Sequence, residues 1–252
     1  MHATPSIAIL GATGGLGRAL SRRLRADGAR LFLGARDEAA VSELAKELES
    51  SYFAVDGADF SRMDEFLDWA SADASLQGVV NCAGSLLLKP AHRTTFEDYQ
   101  TTIAANLTTA FATVRSATRV MSRSGGSIVL VSSAAASIGL QNHEAIAAAK
   151  AGVAALARTA AASYSARGIR VNAIAPGMVE TPLTASILSN PSSRDASLAL
   201  HPSGRPGQPE ELAGLIAWLL SPESTWVTGQ VWGIDGGLGS IKLRPVTKLG
   251  PG

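Results

Sequence analysis

The sequence has few of the residues on which several large classes of protein depend. It contains one cysteine, Cys82, so it forms no intramolecular disulfide and no cysteine-based metal cluster. Its net charge is only +1 and its arginines are scattered, which argues against nucleic acid or a membrane surface as the main partner. No window approaches about eighteen uninterrupted apolar residues, and no secretion signal opens the chain. We therefore expect a cytoplasmic protein.

Strand-like and helical patterns alternate along most of the chain. Short apolar runs that predict buried strands begin at Ser6, Ala29, Tyr52, Gln77, Ser127, Ile169 and Gln230. Amphipathic stretches between them predict helices, of which the longest run from about Phe96 to Met121 and from about Glu144 to Ala166. We predict an α/β fold with one Rossmann-type, doubly wound parallel sheet and helices on both faces. This domain spans residues 1–239, and a C-terminal extension follows at 240–252.

A glycine-rich turn joins the first predicted strand to the first predicted helix. It reads Gly11-Ala12-Thr13-Gly14-Gly15-Leu16-Gly17. Its glycines permit a tight turn, a close approach of the backbone to a diphosphate, and close packing of helix against strand. Backbone N–H groups at the start of a helix then bind the pyrophosphate. The turn predicts a dinucleotide site formed by Gly11, Thr13, Gly14, Gly15, Leu16 and Gly17.

Further motifs follow in a recognisable order. They are Asp59 after the third strand, Asn81-Cys82-Ala83-Gly84 after the fourth, Asn106 in the long helix, Ser133 after the fifth, Pro176-Gly177 through Thr181 after the sixth, and Asp235-Gly236-Gly237 near the end. Together with the glycine turn they resemble a classical short-chain dehydrogenase/reductase over roughly residues 5–238. The resemblance implies an oxidoreductase that binds a nicotinamide dinucleotide and assembles as a homo-oligomer, either a dimer or a tetramer.

The same resemblance implies individual roles. Asp59 would contact the adenine amine, Asn81 and Gly84 the ribose side, and Thr181 the nicotinamide amide. Two of these residues also have a structural alternative, because Asp59 can cap a helix and Asn81 can form a turn at the end of a strand. The other cofactor-binding positions that the resemblance implies are Ala83, Lys150, Pro176, Gly177 and Val179.

The end of the second strand indicates which dinucleotide is bound. A carboxylate there would pair with the ribose hydroxyls of NAD, whereas a cation suits the 2′-phosphate of NADP. The sequence reads Gly34-Ala35-Arg36, and Arg36 offers phosphate a planar fork of donors. We therefore predict NADP(H), with Arg18 as a candidate second cation.

One residue implied by the resemblance is missing. Family members that reduce ketones use a tyrosine as proton donor and a lysine four residues later on the same helix face. Lys150 is present, but Ile146 occupies the place of the tyrosine. Ser133 lies thirteen residues before Ile146, which is the separation usual between the serine and the tyrosine of this family. The three tyrosines of the chain lie elsewhere, at positions 52, 99 and 164.

Three hypotheses follow for the chemistry. In the first, His143 is the proton donor, since positions 143, 146 and 150 share one helix face; the alternative is that His143 only turns the chain into the helix. In the second, Ser133 holds the substrate oxygen, Asn106 holds a water and Lys150 anchors the ribose, without a strong acid. In the third, the protein binds NADP(H) without turnover, as a sensor or partner subunit.

The same resemblance implies that the segment between Val179 and Arg205 covers the substrate. It mixes leucine and isoleucine with serine, asparagine and proline, and it contains Arg194 and His201 as candidate anion contacts. This composition is typical of a lid over a modest apolar substrate. No sequence pattern for a metal site is present.

Overall fold

The computed structural model describes residues 4–242 of the 252-residue chain. The strands within this range are β1 (Ser6–Leu10), β2 (Arg30–Ala35), β3 (Ser51–Ala54), β4 (Gly78–Asn81), β5 (Gly126–Val131), β6 (Ile169–Pro176) and β7 (Val231–Ile234). The α-helices are α1 (Gly15–Ala26), α2 (Glu38–Glu47), α3 (Phe60–Ser71), α4 (Phe96–Ile103), α5 (Thr109–Val120), α6 (Glu144–Tyr164), α7 (Ala185–Leu188), α8 (Pro191–Ala199) and α9 (Pro209–Leu220).

The strands form one seven-stranded sheet in the order β3-β2-β1-β4-β5-β6-β7, and every pairing is parallel. The prediction of a doubly wound parallel sheet is confirmed. The chain order reverses beside β1, which pairs with β2 on one side and β4 on the other. Ligands of such sheets bind beyond the carboxyl ends of the strands at this reversal.

Helices cover both faces of the sheet, and each face has its own apolar core. On one face, α3, α5 and α6 bury side chains such as Phe66, Ala117 and Val153. On the other, α1, α2 and α9 bury side chains that include Leu20 and Leu44. Strands covered on both faces read as continuous apolar runs, and for that reason β1 was visible in the sequence.

The long predicted helix from Phe96 to Met121 is interrupted. It consists of α4 and α5 joined by a π-helical segment, Ala104–Thr108. A π turn holds an extra residue, and such segments often occur at functional sites. Asn106 lies inside this segment and is buried.

α6 is the longest helix and belongs to the core. With the turn that follows it, Glu144–Arg167 is long and apolar enough to pass a composition test for a membrane span, but half of its most apolar window is packed inside the fold. Its inward side chains contact β6 and the sheet. This burial is what a core helix requires.

The segment predicted as a lid contains regular structure. A 3₁₀ turn at Pro182–Thr184 is followed by α7 and α8. None of the three buries a side chain fully, so the segment lies on the surface. Most of the predicted extension, 243–252, lies outside the described residues.

Candidate active site

The glycine turn between β1 and α1 is fixed by close contacts that exclude larger residues. Gly11 has a φ of +74°, and a Cβ on it would lie 2.5 Å from the Ala83 backbone nitrogen. A Cβ on Gly17 would collide with the Gly11 carbonyl oxygen. Gly14 is the N-cap of α1 and has no capping side chain, which leaves the helix N-terminus available to an anion. The turn therefore has the shape of a diphosphate cradle.

A cleft of about 590 Å³ extends from this turn along the carboxyl ends of β1 to β4. Of the predicted cofactor-binding residues, Gly11, Thr13, Gly14, Arg36, Ala83 and Gly84 line it. Gly15, Leu16 and Gly17 form the base of the turn and the start of α1. Thr181 lies against Gly15, where an added Cβ would approach the Thr181 side chain to 2.9 Å. Val179 is buried in the core and bridges to Gly207.

Arg36 lies at the rim of the cleft with an exposed side chain. Within residues 4–242 its guanidinium forms no hydrogen bond or ion pair. The neighbouring Asp37 caps α2, where its Oδ1 accepts from the Ala40 N–H at 3.0 Å. Arg18 instead turns back on the glycine turn, where its Nε donates to the Thr13 carbonyl oxygen at 3.0 Å.

The two aspartates after β3 have different positions. Asp59 is the N-cap of α3, and its Oδ1 accepts from the N–H groups of Ser61 and Arg62 at 2.9 and 3.1 Å. This is the capping role that the sequence left open. Asp56, which is not among the residues predicted from the sequence, lines the cleft instead. The signal for it was present, since Asp56 lies directly after the third apolar run.

The side chain of Asn81 is occupied within the fold. It is 3% exposed, its Oδ1 accepts from the Ala83 N–H at 2.9 Å, and its Nδ2 donates to Thr113 Oγ1 at 3.1 Å. It shapes the turn after β4, which presents the backbone of Ala83 and Gly84 to the cleft. The structure thus gives its side chain the turn-forming role.

Lys150 and Asn106 converge on Gly84. A Cβ on Gly84 would lie 3.0 Å from Asn106 Oδ1 and 3.4 Å from Lys150 Nζ. Asn106 is fixed by hydrogen bonds from its Nδ2 to Ser85 Oγ and the Thr102 carbonyl oxygen. Lys150 Nζ donates to the Val131 carbonyl oxygen at 2.8 Å. Burial lowers the pKa of Lys150 to about 8.

Cys82 lies close to this ammonium group and also lines the cleft. Burial raises the pKa of its thiol to about 12, although the charge of Lys150 opposes the change. The thiol is therefore protonated and unreactive at neutral pH.

A second cavity, of about 360 Å³, lies between the ends of β5 and β6 and the segment formed by α7 and α8. Ser133, His143 and Ile146 line it together, with Pro176 and Gly177 from the end of β6. The expectation that positions 143 and 146 share a face is met. Tyr52, Tyr99 and Tyr164 do not line this cavity.

Hydrogen bonds limit what the polar groups of this cavity can do. Ser133 Oγ accepts from the Ala135 N–H at 3.2 Å, so its own hydroxyl proton remains available to a substrate oxygen. His143 Nδ1 lies 2.7 Å from the Gln141 carbonyl oxygen and therefore carries the ring proton. In the neutral ring Nε2 then presents a lone pair. His143 is the N-cap residue of α6, but its side chain forms no capping bond.

His201 has a role that the sequence did not predict. It is 5% exposed; its Nε2 accepts from the Met178 N–H at 2.9 Å, and its Nδ1 donates to the Ser197 carbonyl oxygen at 2.8 Å. The ring thus joins the residues around α8 to the loop after β6. A Cβ on Gly177 would lie 2.6 Å from His201 Nε2, so a glycine is required beside the ring.

The chain is similar to known proteins over most of its length. Residues 11–239 match the family model described as Enoyl-(Acyl carrier protein) reductase. The chain is 36% identical to the 3beta-hydroxysteroid dehydrogenase 1 of Eggerthella lenta, over 98% of this chain and 97% of that protein. It belongs to the short-chain dehydrogenase/reductase family. It is also 36% identical to the cis-4-hydroxycyclohexanecarboxylate dehydrogenase of Sinomonas cyclohexanicum, over 92% of this chain and 96% of that protein.

Solved structures agree with this assignment. A short-chain type dehydrogenase/reductase from Mycobacterium ulcerans superposes with a TM-score of 0.90 at 30% identity, covering 93% of this chain and 90% of that chain. A putative gluconate dehydrogenase from Agrobacterium tumefaciens gives a TM-score of 0.89 at 30% identity, covering 94% and 97%. Members of the family bind a nicotinamide cofactor, act on small molecules and are commonly oligomeric. Among residues 4–242 there is no cluster of ligands for a metal ion.

Proposed function

We propose that the protein is an NADP(H)-dependent oxidoreductase that interconverts an alcohol and a carbonyl compound, or reduces an imine or activated alkene, without a tyrosine acid. The observation that carries the proposal is the position of Lys150. Its Nζ lies beside Gly84 of the cofactor cleft, and its own helix supplies Ile146 to the wall of the second cavity. A cofactor in the cleft and a substrate in the cavity would meet next to this lysine.

The cleft fits a dinucleotide. Gly11 and Gly17 make the space that a diphosphate needs, and the start of α1 supplies N–H groups and a favourable dipole. Asp56 lies where the adenine end would be held, and we assign it the role first predicted for Asp59. Lys150 would bind the nicotinamide ribose, and Thr181 would bind the carboxamide. When bound, the nicotinamide supplies or accepts the hydride.

NADP(H) is favoured over NAD(H) by charge. Arg36 offers an unoccupied guanidinium at the rim of the cleft, and Asp37 is engaged in capping α2. A ribose 2′-phosphate would accept a charge-assisted pair of hydrogen bonds from Arg36. The neutral ribose hydroxyls of NAD would gain much less binding free energy from the charge of Arg36.

We propose that Ile146 replaces the catalytic tyrosine of the family. It lies four residues before Lys150 on α6 and is 3% exposed at the cavity wall. Ser133 then holds the substrate oxygen with its free hydroxyl proton. In alcohol oxidation the hydroxyl proton leaves for a nearby base, and in reduction the same group returns it.

His143 Nε2 is our candidate for this proton acceptor. The hydrogen bond from Nδ1 to Gln141 fixes the tautomer in which Nε2 is unprotonated. The neutral ring is thus ready to take a proton from an alcohol, whereas reduction requires the imidazolium. A water held between Asn106 and Lys150 is the alternative route, since both side chains converge on Gly84.

A second function is supported by the same isoleucine. An intact cofactor cleft next to a cavity without a phenol is also what an NADP(H)-binding sensor or partner subunit would show. Loss of a positioned acid typically slows such reactions by about 10²–10⁴-fold. Measured turnover therefore decides between the two functions.

The deciding experiment combines binding and turnover. NADPH binding is followed by fluorescence titration, and absorbance decay is then recorded with ketones, imines and activated alkenes. The variant His143→Gln removes the proton acceptor, and the exposed His92→Gln serves as its matched control. We expect His143→Gln to lose turnover while NADPH affinity stays unchanged. Unchanged turnover in His143→Gln would remove His143 from the mechanism, and NADPH binding without turnover by the native protein would favour the sensor.

The remaining proposals concern assembly and location. We propose a homo-oligomer formed through the outer face of α5 and α6. Phe111 is 50% exposed, stacks on Phe60 with ring centroids 5.9 Å apart, and borders a surface groove that contains Gly152 and Ala155. Small residues on α6 allow a second helix to approach closely. The single free cysteine is consistent with a cytoplasmic location. We also propose that residues 1–239 form one domain.

A further inference from the structure

The walls of the substrate cavity are mainly apolar. Leucine, isoleucine, alanine and methionine side chains from several elements line it, among them Leu86, Leu140, Ile187 and Leu238. No lysine, arginine, aspartate or glutamate of residues 4–242 lines it. Its volume of about 360 Å³ is near the lower end for small-molecule sites.

The two candidate anion contacts in the covering segment are not available to a substrate. His201 lines the cavity, but both of its ring nitrogens are engaged, with Met178 and Ser197. Because Nε2 accepts from a backbone N–H and Nδ1 donates to a carbonyl oxygen, neither nitrogen has a proton left to donate to a substrate anion. Arg194 lies on α8 with an exposed side chain and does not line the cavity.

Two nearby cations outside the cavity are paired with carboxylates, and the Lys150 ammonium donates to the Val131 carbonyl oxygen. Lys89, next to the cavity residue Leu88, donates to Asp98 Oδ2 at 2.5 Å. Arg205, beyond His201, holds Glu211 with contacts of 2.8 and 2.6 Å. Either cation would have to give up its carboxylate partner in order to bind a substrate anion.

From these observations we infer that the substrate is uncharged and apolar apart from its reacting group, with the size of one or two fused rings. An unpaired carboxylate or phosphate in such a cavity would lose its hydration without gaining a counter-ion. Acids, sugar phosphates and other anions are therefore rejected, whereas alicyclic alcohols and ketones are accepted. This inference rests on the proposed function, since it names the substrate class of the same site.

The test uses three alcohols that share one ring and differ in one substituent. They are cis-4-methylcyclohexanol, cis-4-hydroxycyclohexanecarboxamide and cis-4-hydroxycyclohexanecarboxylate, each oxidised with NADP⁺ by the full-length protein. The carboxamide and the carboxylate are nearly equal in shape, so their comparison isolates the charge. We expect the methyl compound to have the highest kcat/KM and the carboxylate to fall about a hundredfold or more below the carboxamide. A carboxylate within tenfold of the carboxamide would overturn the inference.

A gain-of-function variant tests the cause. Leu88 is 43% exposed at the cavity mouth, so Leu88→Arg places a cation there without burying it fully. We expect this variant to raise the kcat/KM for the carboxylate at least tenfold, whereas the uncharged control Leu88→Gln leaves it low. An equal gain in both variants would show that charge is not the barrier.

Binding separates this inference from the proposed function. The ketones 4-methylcyclohexanone and 4-oxocyclohexanecarboxylate are titrated calorimetrically into protein saturated with NADP⁺. Selective binding of the neutral ketone without turnover would support the inference and refute the proposed enzyme. Preference for the anion, or no binding of the neutral ketone, would overturn the inference even if other compounds are turned over.

Discussion

Lys150 Nζ donates a hydrogen bond to the Val131 carbonyl oxygen over 2.8 Å, and this buried contact ties α6 to the carboxyl end of β5. The lysine is also held by its backbone, because its carbonyl oxygen accepts from Ser132 Oγ at 2.8 Å. Lys150 is only 7% exposed, and burying its charged side chain lowers the free energy of unfolding. Such a cost is typical of a residue retained for binding or chemistry.

We predict that this cost appears as pH-dependent stability of the cofactor-free protein. The pKa of Lys150 is about 8 in the fold and near 10.5 when unfolded, so between these values the unfolded chain binds more protons. The free energy of unfolding therefore rises as the pH increases from about 8 to about 10.5, by about 3 kcal/mol in total. Cys82 acts in the opposite direction from pH 9 to about 12, because burial raises its thiol pKa. The measurement is urea unfolding of Cys82→Ala from pH 7.5 to 10.5.

The control is the double variant Cys82→Ala/Lys150→Met. It lacks the buried ammonium, so it should be more stable near pH 7.5 and should lose the rise toward pH 10.5. The same slope in both proteins would mean that Lys150 is not the source of the pH dependence.

Arg36 is predicted to discriminate between the two dinucleotides. Replacing it with glutamine removes a charged contact to the 2′-phosphate, and such contacts contribute about 1.5–3 kcal/mol. Arg36→Gln should therefore weaken NADPH about tenfold to a hundredfold and leave NADH nearly unchanged, as measured by fluorescence titration. Arg23→Gln, which breaks only a surface pair with Asp27, is the control. An equal loss for both dinucleotides would contradict the phosphate contact.

The aspartates after β3 should separate stability from binding. Asp59→Ala removes the cap of α3 and should lower the free energy of unfolding by about 0.5–2 kcal/mol, with little effect on NADPH affinity. Asp56→Ala should weaken NADPH binding with little effect on the free energy of unfolding, since Asp56 lines the cleft. Denaturant unfolding and fluorescence titration on both variants check this. Weak NADPH binding by Asp59→Ala would return the adenine contact to that residue.

Much of the fold was predictable because its elements are periodic over many residues. β1 and β6 begin at their predicted first residues, Ser6 and Ile169, and the other strands begin within one residue of the predicted starts. The glycine turn was equally visible, because backbone geometry there admits only glycine. Periodicity could not show the π segment around Asn106, which differs from an α-helix by a hydrogen-bond shift and not by composition.

Side-chain roles were harder to predict from the sequence. Asp56 and Asp59 are both acidic residues after a strand, and only the start of α3 at Phe60 decides which one caps the helix. The family resemblance implied that Asn81 contacts ribose, and His201 was a candidate anion contact, yet tertiary contacts with Thr113, Met178 and Ser197 engage them. These partners lie from 4 to 32 residues away in sequence, and no local pattern predicts most of such pairings.

Introducing a phenol at position 146 should reveal whether the rest of the proposed site is competent. In Ile146→Tyr a hydroxyl is placed four residues before Lys150, near Ser133. We expect reduction of a neutral alicyclic ketone to accelerate about 10²–10⁴-fold. Ile146→Phe has a similar size without the hydroxyl and should stay slow. NADPH oxidation measured with 4-methylcyclohexanone checks the pair, and equal rates in both would refute the role of the missing acid.

His201 should act by positioning the residues around α8. His201→Leu leaves the Met178 N–H and the Ser197 carbonyl oxygen without their ring partner, so it should cost about 1–3 kcal/mol of stability. Because the loop after β6 lines the substrate cavity, we expect a higher KM with little change in NADPH affinity. In His201→Gln the side-chain amide can accept from the Met178 N–H, so this variant should recover part of the stability and part of the substrate affinity that His201→Leu loses. If leucine and glutamine variants behave alike, the hydrogen bonds are not responsible.

The π segment at Ala104–Thr108 makes the chain sensitive to the count of residues between Phe96 and Val120. Deleting one residue there would give a continuous α-helix of ordinary hydrogen bonding, which is locally better bonded than the native helix. A π segment absorbs one extra residue in its wider turn, so the same deletion would leave α4 and α5 facing as before but would remove the bulge that holds Asn106 near Gly84. Regular α-helical hydrogen bonding in this segment and the placement of Asn106 beside Gly84 therefore exclude each other, and the structure keeps the placement of Asn106.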